Sequence, residues 1–132
     1  MARRSEHSGR TALITGASLG IGAELARCFA KGGFDLVLVA RSVDKLRVLA
    51  AELQAAYGVA VRVQPSDLSQ PAAATSLAAA LRRKSVTVDV LVNNAGVLEQ
   101  GTFRGIAASR HQALIDLNVS ALTAMLEMLL PA

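Results

Sequence analysis

The stretch Thr15-Gly16-Ala17-Ser18-Leu19-Gly20-Ile21-Gly22 sets three glycines between an apolar segment and an amphipathic one, a pattern suited to holding a phosphate. Without side chains at Gly16, Gly20 and Gly22, the backbone can turn sharply, come close to a ligand and pack a helix start against a strand. The first turn of such a helix offers unpaired N–H groups and about half a positive charge to an anion. A plain strand-to-helix loop is the alternative. The flanks speak against it: Thr11 to Thr15 is expected to be a strand, and Ile21, Leu25, Cys28 and Phe29 recur at helical spacing.

Four further groups add chemistry. About 20 positions past a dinucleotide-binding turn an acidic residue usually takes the ribose hydroxyls; here that place holds Ala40-Arg41. Arginine cannot accept from a 2′-hydroxyl, but it offers charge to a 2′-phosphate, so the pair favours NADP(H) over NAD(H). Ser42 can donate its hydroxyl to the same phosphate, and a solvated arginine at a helix start is the alternative for Arg41. Asp67-Leu68-Ser69 forms a loop, Asn93-Asn94-Ala95-Gly96 a turn, and Asn118 falls on an otherwise apolar helix face where its amide needs a partner.

The elements that must position these groups alternate. Strands are expected at Thr11 to Thr15, Phe34 to Ala40, Val59 to Val63 and Val88 to Val92. Helices follow from Gly20 to Lys31, from Ser42 to a stop at Gly58, from about Pro71 to Lys84, and from near Ala107 onward with Leu114, Leu117, Ala121 and Met125 inward. Pro65 and Ser66 are expected to break the third strand pattern, and residues 1–9 to form a disordered tail. Right-handed crossovers then give an α/β, doubly wound parallel sheet in the order 3-2-1-4. The glycine turn and the Asn93 to Gly96 turn meet at its switch point, outside the carboxyl ends of the strands.

Composition agrees. The chain of 132 residues is 52% hydrophobic with no Trp, three Phe and one Tyr, which leaves the core to aliphatic residues, as buried parallel sheets prefer. Its net charge of +4 comes partly from Arg3, Arg4 and Arg10 near the amino terminus and Arg82, Arg83 and Lys84 at a helix end, a scatter that argues against a nucleic-acid partner. The single Cys28 is expected to be a core thiol in a reducing cytoplasm. No secretory leader or membrane anchor is expected, since the apolar run Leu117 to Leu130 is short and holds Asn118 and Glu127. His7, His111 and the acidic residues form no metal-ligand pattern.

Taken together, these motifs resemble the short-chain dehydrogenase/reductase family. Thr15 to Gly22 matches its TGxxxGxG pattern, Asn93 to Gly96 its NNAG motif, Asp67 its adenine-contacting aspartate and Asn118 its helix asparagine. The resemblance implies a Rossmann-type fold and hydride transfer between a nicotinamide and a carbonyl or alcohol carbon. It also implies that Gly16, Ser18, Gly20, Ile21 and Gly22 line the cofactor, and that Asp67 and the Leu68 backbone meet the adenine. Asn94, Ala95 and Gly96 would pass beside the adenosine ribose, and Asn118 would be the asparagine that orders a water in the family's proton relay. A loop-capping aspartate and a satisfied buried amide stay open as alternatives for Asp67 and Asn118.

The chain also departs from the family. Leu19 stands where many members place a basic residue, so NADP(H) preference rests on Arg41. The family's serine and Tyr-x-x-x-Lys pair find no match, because the one tyrosine, Tyr57, is followed four positions later by Val61. The expectation is a cofactor-binding half, truncated after the fourth strand and its helix, inactive alone and prone to self-association. The helix of Asn118 lies where the family builds dimer contacts, which implies a homo-oligomer. A catalytically dead nucleotide-binding or partner-binding protein is the other reading.

Overall fold

The computed structural model describes residues 5–130. Four strands, β1 (Thr11–Thr15), β2 (Asp35–Ala40), β3 (Val61–Pro65) and β4 (Val90–Val92), form one parallel sheet in the order β3-β2-β1-β4. Helices α1 (Gly20–Lys31), α2 (Val43–Tyr57) and α3 (Ala73–Arg83) connect them. After β4 come a 3-10 turn (Phe103–Gly105), α4 (Ala108–Ile115), a π-helical stretch (Asp116–Ala121) and α5 (Leu122–Leu129). The expected doubly wound order is therefore observed.

Strand alternation splits the core in two. Ala12, Ile14, Leu36 and Leu38 face α1 and α2, whereas Leu13, Val37 and Val39 face Leu77 and Leu81 of α3 and Met125 of α5. Leu36 to Val39 are all at most 1% exposed, as expected of an apolar strand with a neighbour on each side. Each such side chain contributes about 1.5–3 kcal/mol by leaving water.

Several expectations change on contact with the structure. Residues 5–9 form a hydrogen-bonded turn rather than a tail, with Ser8 N donating to Ser5 O and Arg10 N to His7 O, both at 3.0 Å. The turn also packs on Phe34, whose ring centroid lies 4.5 Å from that of His7 in a stacked pair and which itself meets Phe29 edge-on. Residues 1–4 of the expected tail lie outside the described part. The third strand runs two residues later than expected and includes Pro65, paired with Ala40; β3 is an edge strand, where the missing N–H costs no ladder bond.

Helix α1 also faces differently. Its buried residues are Gly22, Ala23, Ala26 and Ala30, while Ile21 is 73% exposed and Cys28 is exposed rather than a core thiol. The glycine turn dictates this orientation. A Cβ on Gly22 would collide with Gly16 O, so Gly22 must lie against the turn, and the small residues one turn on accompany it inward.

Candidate nucleotide site

Thr15 ties the site together. It is the sole buried polar residue among the described residues, at 1% exposure, and stands at the carboxyl end of β1. Its Oγ1 accepts from Asn94 N at 3.0 Å and Ala95 N at 2.9 Å, and donates to Val92 O at 3.4 Å. Asn94 Nδ2 in turn donates to Gly16 O at 3.3 Å, and Ala17 N to Val39 O at 3.2 Å. The two turns that the sequence brings to the switch point are thus one bonded unit spanning β2, β1 and β4.

Glycine is required within it. Gly16 and Gly20 have φ of +65° and +61°, in the left-handed region that side chains disfavour. A Cβ at Gly16 would come within 2.9 Å of Asn94 Nδ2, whereas one at Gly20 would meet no atom within 4 Å. Gly16 and Gly22 serve packing, and Gly20 leaves a ledge open to a ligand. Leu19, the cap of α1, makes no side-chain cap bond, and no acidic residue stands in the first turn, so the positive end of this helix is not offset by its own chain. Ser18 is half-buried and Ile21 exposed beside the ledge. An open groove of about 700 Å³ continues from Ser18 and Ile21 along the outer side of α1 to Arg27 and Cys28, away from the strand ends.

The carboxyl ends of β2 and β3 carry the charged part. Arg41 is exposed directly after β2, and Ser42, which caps α2, makes no side-chain cap bond, leaving its hydroxyl to another acceptor. Asp67 Oδ1 accepts from Ser69 Oγ at 2.6 Å and Ser69 N at 3.1 Å, while Oδ2 has only Gln70 Nε2 at 3.5 Å. The Ser69 hydroxyl is the main cause that holds this carboxyl below its ordinary pKa; partial burial opposes it, and the Ser69 amide, Gln70 and the charge of Arg41 add to it. Asp67 is therefore a loop cap with one oxygen lightly engaged, and it shares its surroundings with Arg41. Leu68 is 7% exposed and packs in the core beside Leu77 and Leu81.

Asn118 finds the partner that its place on the helix demands. Its Oδ1 accepts from Val97 N at 2.8 Å and its Nδ2 donates to Val97 O at 2.7 Å. A Cβ on Gly96 would lie 3.1 Å from Asn118 Oδ1, so the amide closes the far edge of the Asn94 to Gly96 turn. Two contributors escaped the sequence reading: Thr15 itself, and Asn93, whose Nδ2 donates to Leu122 O at 3.3 Å. A hydroxyl residue ending an apolar strand just before a glycine turn is the signal for the first. Tyr57 ends α2, at the opposite edge of the sheet from the strand carboxyl ends, and His111 stacks on Phe103, so neither joins the site. No group of three metal-ligating side chains occurs among the described residues.

A family model described as short chain dehydrogenase matches residues 10–132, from the start of β1 through α5. The chain belongs to the short-chain dehydrogenase family. It is 39% identical over 117 residues to dehydrogenase/reductase SDR family member 11 of Gallus gallus, covering 88% of this chain and 46% of that protein. Among solved structures it resembles a short-chain dehydrogenase from Sphingobium yanoikuyae in complex with NADPH, with 43% identity, a TM-score of 0.84 and coverage of 91% of this chain and 46% of that one. L-sorbose reductase from Gluconobacter frateurii, complexed with NADPH and L-sorbose, aligns with a TM-score of 0.88 at 36% identity over 96% of this chain and 48% of that one. The chain spans about half the length of the relatives it matches.

Proposed function

We propose that this chain binds NADP(H) and forms the nucleotide-binding half of an oxidoreductase that moves hydride between the nicotinamide and a carbonyl or alcohol carbon. The observation that carries the reading is the Thr15 unit, which locks the glycine turn to Asn94 and Ala95 while leaving the Gly20 ledge open at the uncapped start of α1. Gly16, Ser18, Gly20, Ile21 and Gly22 would hold the pyrophosphate side, with Asn94, Ala95 and Gly96 beside the ribose. Arg41 and Ser42 would take the 2′-phosphate, and Asp67 with the Leu68 backbone the adenine. The nicotinamide supplies or accepts the hydride when bound. NADPH in the solved relatives supports the choice of cofactor. A small carbonyl or alcohol compound is the substrate class of the complete enzyme, to which Asn118 contributes at the relay position.

This chain has no Tyr-x-x-x-Lys pair, since its one tyrosine, Tyr57, is followed four positions later by Val61, so on this reading it does not turn over substrate by itself. The non-enzymatic reading, a nucleotide binder without catalysis, shares the site and separates from this one by whether a second half restores turnover. Exposed Ile115, Val119, Leu126 and Leu130 along α4 to α5 suit a homo-oligomeric contact. A cytoplasmic setting would keep the lone exposed Cys28 thiol reduced.

Titration with NADPH and NADH tests the reading. Removing one charge-assisted bond costs about 1.5–3 kcal/mol, so Arg41→Ala should lower the NADPH to NADH affinity ratio about tenfold to a hundredfold. An unchanged ratio would refute the assignment of Arg41.

A further inference from the structure

The helix that carries Asn118 is interrupted by the π-helical stretch Asp116–Ala121, and such a stretch inserts a residue into an α-helix. The insertion changes which side faces the sheet. No residue of α4 is buried, whereas Ala121 and Met125, at 8% and 1% exposure, pack with Leu13 and Val39. Asn118 lies inside the stretch with both ends of its amide on Val97. Removing the inserted residue would rotate Asn118 by about 100° relative to α5, taking its amide off Val97.

Two side chains outside that pair bond within the stretch or at the residue that follows it. Thr123 Oγ1 donates to Val119 O at 2.7 Å, a bond to the carbonyl four residues back of the kind that bends helices. From the other side Asn93, at the end of β4, donates through Nδ2 to Leu122 O, the first carbonyl of α5, at 3.3 Å. Asn93 thereby links the strand end directly to the helix on one side of the Asn94 to Gly96 turn, as Asn118 does on the other. We propose that Asn93 and Thr123 are positioning residues that hold the π stretch and so keep the Asn118 amide clamped on Val97 at the edge of the nucleotide turn. Its functional meaning rests on the placement of Asn118 in the site proposed above.

Hydrogen exchange of the Asn118 side-chain amide and the Val97 backbone amide, followed by NMR on the full 132-residue chain, tests the proposal. Asn93→Asp and Thr123→Val each keep the side-chain shape and remove the donor; Thr123→Ser restores the hydroxyl. Exchange at Asn118 and Val97 should quicken at least about fivefold in Asn93→Asp and Thr123→Val but not in Thr123→Ser. The Leu13 and Val37 amides in the central sheet should keep their protection. Unchanged exchange at Asn118 and Val97, equal quickening in Thr123→Val and Thr123→Ser, or equal quickening at Leu13 and Val37 would each overturn it. If Asn93→Asp fails to fold, the Thr123 pair decides. NADPH titration of the same samples reads the nucleotide assignment separately, because the exchange pattern needs no ligand.

Discussion

The two strands that meet at the switch point are built differently. In β1, Ala12, Leu13 and Ile14 are fully buried: helix α1 covers Ala12 and Ile14 through Ala23, Ala26 and Ala30, while α3 and α5 cover Leu13. In β4 all three residues are half-buried, and the chain beyond the strand is held by polar ties: Thr15 to Asn94 and Ala95, Asn118 to Val97, Asn93 to Leu122. The glycine turn is therefore as rigid as the core beneath it. The Asn94 to Gly96 turn is only as rigid as its hydrogen bonds, so the β1 side should fail globally and the β4 side locally.

The largest effect should come from Gly22→Ala, which drives a Cβ into Gly16 O, a backbone atom that cannot swing aside. Overpacking of this kind costs about 3 kcal/mol, and thermal melts should show the whole domain losing stability. Thr15→Val sharpens the contrast. It keeps the shape but strips two amides of their acceptor, for a loss of about 2 kcal/mol, with exchange rising first at Asn94 and Ala95. Loss of protection at Leu13 in that variant at an equal rate would erase the distinction between the two sides.

The smallest effect belongs to Asp67. Its folded pKa lies below the unfolded value, so its stabilising contribution is present above the ordinary carboxylate range near pH 4 and is lost as the pH falls through the lowered value. Asp67→Asn should flatten that acid limb in pH-dependent melts by lowering stability slightly at neutral pH, with the two proteins converging in acid. An identical acid limb in the variant would contradict the bonds from Ser69.

Strand order and the meeting of the two turns were legible because apolar runs, glycine stops and alternation with helices all point one way. Side-chain direction in α1 was not. The spacing of Ile21, Leu25 and Cys28 tracks bulk, but close packing of the helix against the turn selects the small residues Gly22, Ala23 and Ala26. The π stretch hides for a related reason, since one inserted residue shifts the helical phase without breaking a hydrophobic pattern. Pro65 reads as a breaker until β3 is known to be an edge. Residues 5–9 have no periodicity at all; their turn rests on backbone hydrogen bonds and on the stacking of His7 on Phe34, neither of which a pattern shows.

The most direct measurement of the central claim is calorimetric titration of NADPH into the wild-type chain and into Gly20→Trp. The tryptophan fills the ledge where no protein atom lies within 4 Å, and the positive φ of +61° adds strain of about 1–3 kcal/mol, so melts of both proteins accompany the titration. NADPH binding by the wild type and its loss in a folded Gly20→Trp is the predicted result. Equal binding by both would contradict the placement of the nucleotide on the glycine turn.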